Sequence, residues 1–418
     1  VGYGDDATDR SGLATATEAQ PETVPDHVSA DLVYPLDHWN GAAFVEDPLS
    51  FWDGLRDDRR VFWSPFHGGF WCLTRYEDIH EAFQRPDLFS SRLTNIPGRE
   101  VKLLPISLDP PDHTKYRRLL NQPFSPARID VLIGTIAERC QALLDGLAGQ
   151  NGCDFIDAFG KALPTSIFID LLGLPPEEIE QFMAWNHTIL HVHGDAEGQA
   201  LQRQANEELS VYLSELVAVR KTARADDLIS VLIPLEIDGR PLADEETIAL
   251  AYLLFMAGLD TVTSAMGWSW KFLAEHPAHR QQIVDDPSLI PAAIEELLRF
   301  HSFVQDARTL SRDAVFAGVE MKAGDRIMLP TASADRDEDQ FPDAMTVDFH
   351  RDPNRHIAFA AGPHRCVGSH LARAELRIAM TEWHARIPHY RLTPGAEVHI
   401  HGGAVVGLDQ LPLDFVTG

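Results

Sequence analysis

A lone cysteine set between two glycines, with helix-forming sequence directly after it, constrains this chain more than any other feature. The stretch reads Phe359-Ala-Ala-Gly362-Pro-His364-Arg-Cys366-Val-Gly368 and continues into His370-Leu371-Ala372-Arg373-Ala374-Glu375-Leu376. The first backbone N–H groups of a helix lack partners within it and carry the positive end of its dipole, so a thiol placed there is biased toward the thiolate. Gly362 and Gly368 permit a tight backbone around the sulfur, and Pro363 stiffens the loop. With no partner cysteine nearby, such a thiolate suits a metal better than a disulfide. The plainer alternative is a buried structural cysteine.

The chain has 418 residues, 44% of them hydrophobic, which is enough for one large core. No apolar run reaches the length a bilayer requires, and the N-terminus carries neither a basic segment nor an apolar signal core. The formal net charge of −28 speaks against nucleic acid as a partner, because phosphates would be repelled. Cys72, Cys140, Cys153 and Cys366 show no C-x-x-C spacing, which suits a reducing compartment. A cytoplasmic protein acting without membrane or nucleic acid is expected.

Residues 1–30 are rich in Asp, Glu, Thr, Ala and Pro without periodicity and read as a mobile acidic arm. Residues 31–418 read as one domain, mainly α with small antiparallel β-sheets. Val61-Phe62-Trp63 and Phe70-Trp71-Cys72-Leu73, with His67-Gly68-Gly69 between them, predict a hairpin. Helices are expected over 76–84, 112–120, 127–147, 167–172, 176–190, 200–220 and 291–300. A long one, capped by Asp244, is expected from Glu245 to about His276, where Pro277 ends it. Short strands are expected at 307–311, 314–316 and 326–329, and the tail from Tyr390 to Phe415 alternates like β-structure.

Within the long helix, Leu253-Leu254-Phe255-Met256-Ala257 is apolar on all sides and should be buried. Gly258, Asp260, Thr261 and Thr263 interrupt it. A mid-helix glycine costs roughly 1 kcal/mol against alanine, and close approach of the backbone to a flat ligand would explain it. A buried Asp260 requires a charged partner, water or a part in proton delivery.

Taken together, F-x-x-G-x-H-x-C-x-G resembles the haem-binding loop of the cytochrome P450 enzymes. The resemblance implies that Cys366 is the axial ligand of haem b iron, held in a loop shaped by Phe359, Gly362 and Gly368. One departure is Ala360, where the family usually has glycine; a methyl group is tolerated there if φ stays negative. Ala257-Gly258-Leu259-Asp260-Thr261 resembles the family's A-G-x-D-T motif. That likeness sets Ala257 and Gly258 against the haem, and makes Asp260 and Thr261 the acid and alcohol that distort the distal helix and deliver protons. Glu296-Leu297-Leu298-Arg299 resembles E-x-x-R, a structural clamp completed here by Arg351. His113, Arg117, Arg308 and His364 match the positions that hold the haem propionates. The implied fold places haem between the long distal helix and the proximal cysteine-loop helix.

Asp238-Gly239-Arg240-Pro241, Gly258-Leu259-Asp260-Thr261-Val262 and Glu295-Glu296-Leu297-Leu298-Arg299 resemble the camphor-hydroxylase branch in particular. The implied activity is monooxygenation: one oxygen atom of O2 enters an unactivated C–H bond. Electrons would come from NAD(P)H through a reductase and a [2Fe-2S] or similar ferredoxin, since no flavin or nicotinamide fingerprint is present. Arg75, Arg118, Arg365 and Arg373 are candidates for its docking patch. The resemblance draws the substrate pocket from the 93–106 loop, the 185–193 lid, and Leu253, Met256, Phe303, Val304, Ala404 and Val405. These are mostly apolar, so a small or medium hydrophobic substrate is expected, a terpenoid first and an alkylated aromatic second. The protein is expected to act as a monomer. A peroxygenase and a non-catalytic haem-thiolate sensor are the alternatives, and the acid–alcohol pair argues against both. His187 and His191 have i, i+4 spacing that could hold a metal, with His193 following. No acidic third ligand follows at the usual spacing, and the resemblance makes this segment a substrate lid.

Overall fold

The computed structural model describes residues 21–98, 103–192 and 196–416. Val61–Ser64 (β1) and Phe70–Leu73 (β2) form the expected hairpin. His67, Gly68 and Gly69 all take positive φ in its turn, and a Cβ on Gly69 would lie 2.4 Å from the Trp63 ring. Tyr76–Gln84 (α1) and Phe89–Ser90 (β3) follow. Next come Asp112–Asn121 (α2), Pro126–Gly146 (α3), Gly152–Asp154 (β4) and Ala162–Leu172 (α4). Ile179–His191 (α5), Ala196–Thr222 (α6), Asp244–Glu275 (α7) and Ile290–Phe300 (α8) make up the rest of the helical centre. Gln305–Leu310 (β5) and Arg326–Pro330 (β6) precede Ser369–Arg386 (α9). Tyr390–Leu392 (β7), Ile400–His401 (β8), Gly407–Leu408 (β9) and Pro412–Phe415 (β10) close the chain.

The largest sheet has the order β1-β2-β6-β5-β3. Every pairing in it is antiparallel except β2 with β6, where Trp71 faces Ile327 in parallel register. The expected antiparallel pairing thus holds in this sheet apart from that one parallel pair. The chain between β2 and β6 is long enough for the crossover that a parallel pair demands. β7, β10 and β4 make a second sheet, and β8 with β9 a two-stranded one.

The helices surround α7, whose side chains are buried along most of its length. By length and hydropathy α7 is apolar enough to cross a membrane, contrary to the sequence expectation, but its apolar window is mostly buried against the rest of the protein. Trp270 on α7 stacks on Phe155 with ring centroids 4.9 Å apart and meets Trp383 of α9 edge-on. Helix α7 is capped from Ala243, one residue earlier than expected, where the Glu246 side chain accepts the Ala243 N–H at 2.8 Å. Pro277 ends this helix and also opens Pro277–Asp285, a helix the sequence reading did not anticipate. Proline in a first helical turn forfeits no hydrogen bond.

Residues 1–20 of the expected arm lie outside the described residues. The remainder of the arm is docked. Glu22 donates its N–H to Pro65 and accepts one from Gly68, and Val28 is buried with Trp63.

Candidate active site

The cysteine loop is closed by the Cys366 N–H, which donates to the Phe359 carbonyl at 2.9 Å just ahead of α9. Gly362 has φ +67°, and a Cβ on it would lie 2.2 Å from the Phe83 carbonyl oxygen of α1, so only glycine fits. Gly368 differs: its φ is an ordinary −80°, and a Cβ would sit 3.9 Å from the Cys366 sulfur. Its small size keeps the approach to sulfur open, while its backbone would accept other residues. Ala360 has φ +55°. The expectation of negative φ is therefore wrong, and an L-residue held there costs about 1–2 kcal/mol.

The Cys366 side chain is accessible although the sulfur lies deep in the protein. Burial pushes its thiol up, while the Gly368 N–H and the charges of Arg117, Arg373 and Arg365 pull it down. A metal ion would take the place of the thiol proton outright.

Four predicted cationic or basic groups come together beside the loop. The rings of His113 (α2) and His364 are 4.0 Å apart, and Arg117 donates to the Arg365 carbonyl. Arg308, on β5 and almost fully buried, lies 5.2 Å above the Phe83 ring. Burial, with Arg117 next in effect, lowers His113 to about 4. Burial, followed by the charges of Arg308, His113 and Arg117, lowers His364 to about 2. His113 Nδ1 and His364 Nε2 are buried without a hydrogen-bond partner. Such a cluster is the complement of two carboxylates, and the propionates of haem fit it.

On α7, Ala257 is exposed while Phe255, Met256 and Leu259 around it are buried. Gly258 is explained differently from the sequence expectation: a Cβ there would lie 2.0 Å from the Phe168 ring of α4. The glycine serves close packing of two helices. Thr261 donates its hydroxyl to the Ala257 carbonyl at 3.0 Å, and α7 runs unbroken through the motif, without the expected distortion. Asp260 has the charged partner that burial demanded: Oδ1 lies 3.2 Å from His191 Nε2 at the end of α5. Burial raises the Asp260 carboxyl, yet the bond and charge of His191 outweigh it and hold the group below its ordinary value. This pairing was not foreseen, because its two halves are 69 residues apart and only the fold joins them.

The clamp residues meet in the core. Glu296 and Arg299 pair in a two-pronged contact at 2.8 Å, with both side chains almost wholly buried. Arg351 Nε reaches both Glu296 oxygens at 3.1 Å, and Asn354 adds a bond at 3.0 Å. Arg299 also donates to the carbonyls of Asp335, Ala344 and Thr346.

The proposed docking arginines divide. Arg373 is committed to Glu295 at 2.6 and 2.7 Å, and Arg75 pairs with Asp337 at 3.4 Å. Arg118 and Arg365 stay exposed. Among the pocket residues, Met256 is buried, and Leu253, Val304, Ala404 and Val405 are partly buried, with Val304 bridged to Val405. Phe303 is buried and lines a small void with Trp52, Trp268 and Val406. Residues 99–102 of the expected pocket loop and His193 of the lid lie outside the described residues.

A family model described as cytochrome P450 matches residues 63–384. The chain is 34% identical over 403 residues to "Probable cytochrome P450 127A1" of Sinorhizobium fredii, covering 93% of this chain and 96% of that protein. It is also 34% identical over 358 residues to a vitamin D(3) 25-hydroxylase of Pseudonocardia autotrophica, covering 83% of this chain and 88% of that one. Among solved structures, CYP101J2 superposes with a TM-score of 0.87 at 30% identity, covering 94% of this chain and 99% of that one. CYP101J2 is of the camphor-type branch that the motif stretches resemble. The matched span takes in the acid–alcohol helix, the buried clamp and the cysteine loop in one register, and on that ground the chain belongs to the cytochrome P450 family, monooxygenases whose cofactor is haem b.

Proposed function

We propose that this monooxygenase hydroxylates a small or medium hydrophobic substrate, a terpenoid first and an alkylated aromatic second, with electrons from a ferredoxin and its NAD(P)H reductase. The observation that carries this reading is the make-up of α7, where Asp260 and Thr261 follow an exposed Ala257 in an otherwise apolar helix. Haem bound at Cys366 supplies oxygen activation and attack on the C–H bond. The protein's own groups do the rest. Cys366 would hold the haem iron through its thiolate, and His113, Arg117, Arg308 and His364 would hold the two propionates. Leu253, Met256, Val304, Ala404 and Val405 exclude water and orient an apolar substrate by shape. Thr261 donates to Ala257, so the lone pairs of its hydroxyl are free to accept from water. Asp260, kept ionised beside His191, passes protons toward that hydroxyl.

The protein is read as a cytoplasmic monomer whose docking patch centres on Arg118 and Arg365. A larger steroid-like substrate is the competing class, since the name of one relative gives vitamin D(3) as its substrate. A panel of monoterpenoids, alkylbenzenes and steroids, scored by the shift of the haem Soret band from low to high spin, decides between them. Shifts confined to steroids would remove the small-substrate reading. Product formation with NADH and surrogate ferredoxins, compared with hydrogen peroxide alone, separates monooxygenase from peroxygenase turnover.

A further inference from the structure

Of the histidines spaced for a metal in the sequence, His187 and His191, the fold gathers only His191 with new partners from elsewhere. Ligand atoms of His191 (α5), Asp260 (α7) and His401 (β8) all lie within 4.8 Å of one another. Two imidazoles and a carboxylate are donors that zinc and its neighbours in the transition series accept. Neighbouring ligands in a tetrahedral zinc site are roughly 3.4 Å apart, given bonds of about 2.0–2.1 Å. His191 Nε2 and Asp260 Oδ1 already stand at 3.2 Å, and His401 lies within the 4.8 Å bound of both.

His401 is prepared for that role. Its Nδ1 pairs with Asp409 Oδ1 at 2.9 Å, the arrangement by which a carboxylate orients a ligating histidine and leaves Nε2 with its lone pair. That Nε2 is buried and has no hydrogen-bond partner among the described residues, and the same holds for Asp260 Oδ2. Gly407, opposite His401 in the strand pair, leaves room for the ring: a Cβ there would lie 2.7 Å from Nε2. Two carboxylates, Asp260 and Asp409, face a cation entering the site. The nearby Lys161 opposes it but is paired with Asp157 at 3.5 Å.

We propose that His191, Asp260 and His401 form a binding site for a divalent transition-metal ion, with Asp409 as the orienting carboxylate and water in the fourth position. An ion bound there occupies the Asp260 carboxylate.

The test is zinc chloride titrated calorimetrically into the haem-loaded ferric protein at pH 8, since protons and metal compete for the same nitrogens. One equivalent should bind with micromolar affinity or better. His401→Ala should weaken binding at least 30-fold, and Asp409→Asn by 10- to 100-fold. Should His401→Ala lose its haem, the half-exposed Asp409 carries the test alone. Absence of saturable binding up to millimolar zinc, or affinity unchanged in these variants, overturns the site. A second arm rests on the proton-delivery reading: zinc should slow oxygen-dependent turnover and leave the substrate-induced Soret shift intact. Zinc that binds at one equivalent without slowing turnover upholds the site and removes proton delivery from Asp260.

Discussion

Asp260 and His191 form an ion-paired contact of 3.2 Å across two helices, at the one place where α7 interrupts its apolar run with an acid. The carboxylate is therefore anchored on one oxygen, while Oδ2 is buried without a partner. An acid held in this way is positioned to exchange protons with a neighbouring hydroxyl.

Asp260→Asn should keep haem and substrate binding but slow oxygen-dependent turnover about 10-fold or more, because an amide cannot relay protons as a carboxylate does. Thr261→Ala should instead keep consuming NADH while releasing more hydrogen peroxide and less product. NADH consumed, peroxide formed and product formed, measured together, check both. Full coupling in Thr261→Ala would leave that hydroxyl only its bond to Ala257 and sink its assigned role.

Cys366→Ser should abolish monooxygenation and remove the strongly red-shifted ferrous–CO Soret band that thiolate ligation produces. Retention of that band would mean that a different residue binds the iron.

Arg299→Ala should give mostly haem-free or insoluble protein. The substitution leaves Glu296 in the core with Arg351, Asn354 and the Asp348 N–H to meet it, and it strips the Asp335 and Ala344 carbonyls of their Arg299 donor. Breaking a buried pair costs about 3–5 kcal/mol, a large share of a typical stability. Haem content per folded protein is the measurement, and a soluble variant with full haem would contradict the clamp.

Ala360→Gly should raise stability by about 0.5–1 kcal/mol, because glycine relieves the left-handed strain and returns part of the gain as chain entropy. The observation behind it is φ +55° at this alanine. Urea midpoints of the two haem-loaded proteins decide it, and an unchanged or lower midpoint would show that the strain is absent.

Asp335 gives stability a pH dependence. Burial pushes its carboxyl up to about 7, only partly offset by His356 and the Ile357 N–H. The folded protein thus keeps a proton that the unfolded chain has already released. Stability from this group is greatest below the ordinary carboxyl range and is lost as pH rises toward 7. Asp335→Asn mimics the protonated form and should be more stable than wild type at pH 8 by on the order of 2–4 kcal/mol, with a smaller gap at pH 5. Equal midpoints at both values would show that Asp335 is ionised without penalty.

The parts of this protein written in consecutive residues were readable before the fold was known. The hairpin, the long helix, the cysteine loop and the i, i+3 spacing of Glu296 and Arg299 are local patterns, and local patterns survive without tertiary information. What failed depended on a distant neighbour. Gly258 is glycine because of Phe168, a residue on another helix. Ala360 takes a conformation that the loop as a whole imposes on it. The partner of Asp260 was demanded by the cost of burial but could not be named. His191 had been noticed only for its own spacing.

Phe83 stands under two parts of the site at once. Its carbonyl oxygen lies where Gly362 must have no side chain, and its ring lies beneath the Arg308 guanidinium. The cysteine loop and the arginine proposed to hold a propionate are thus surveyed from one benchmark. Both proximities depend on where α1 places this one residue. A truncation of the Phe83 ring would separate them, moving the arginine and leaving the thiol where it was.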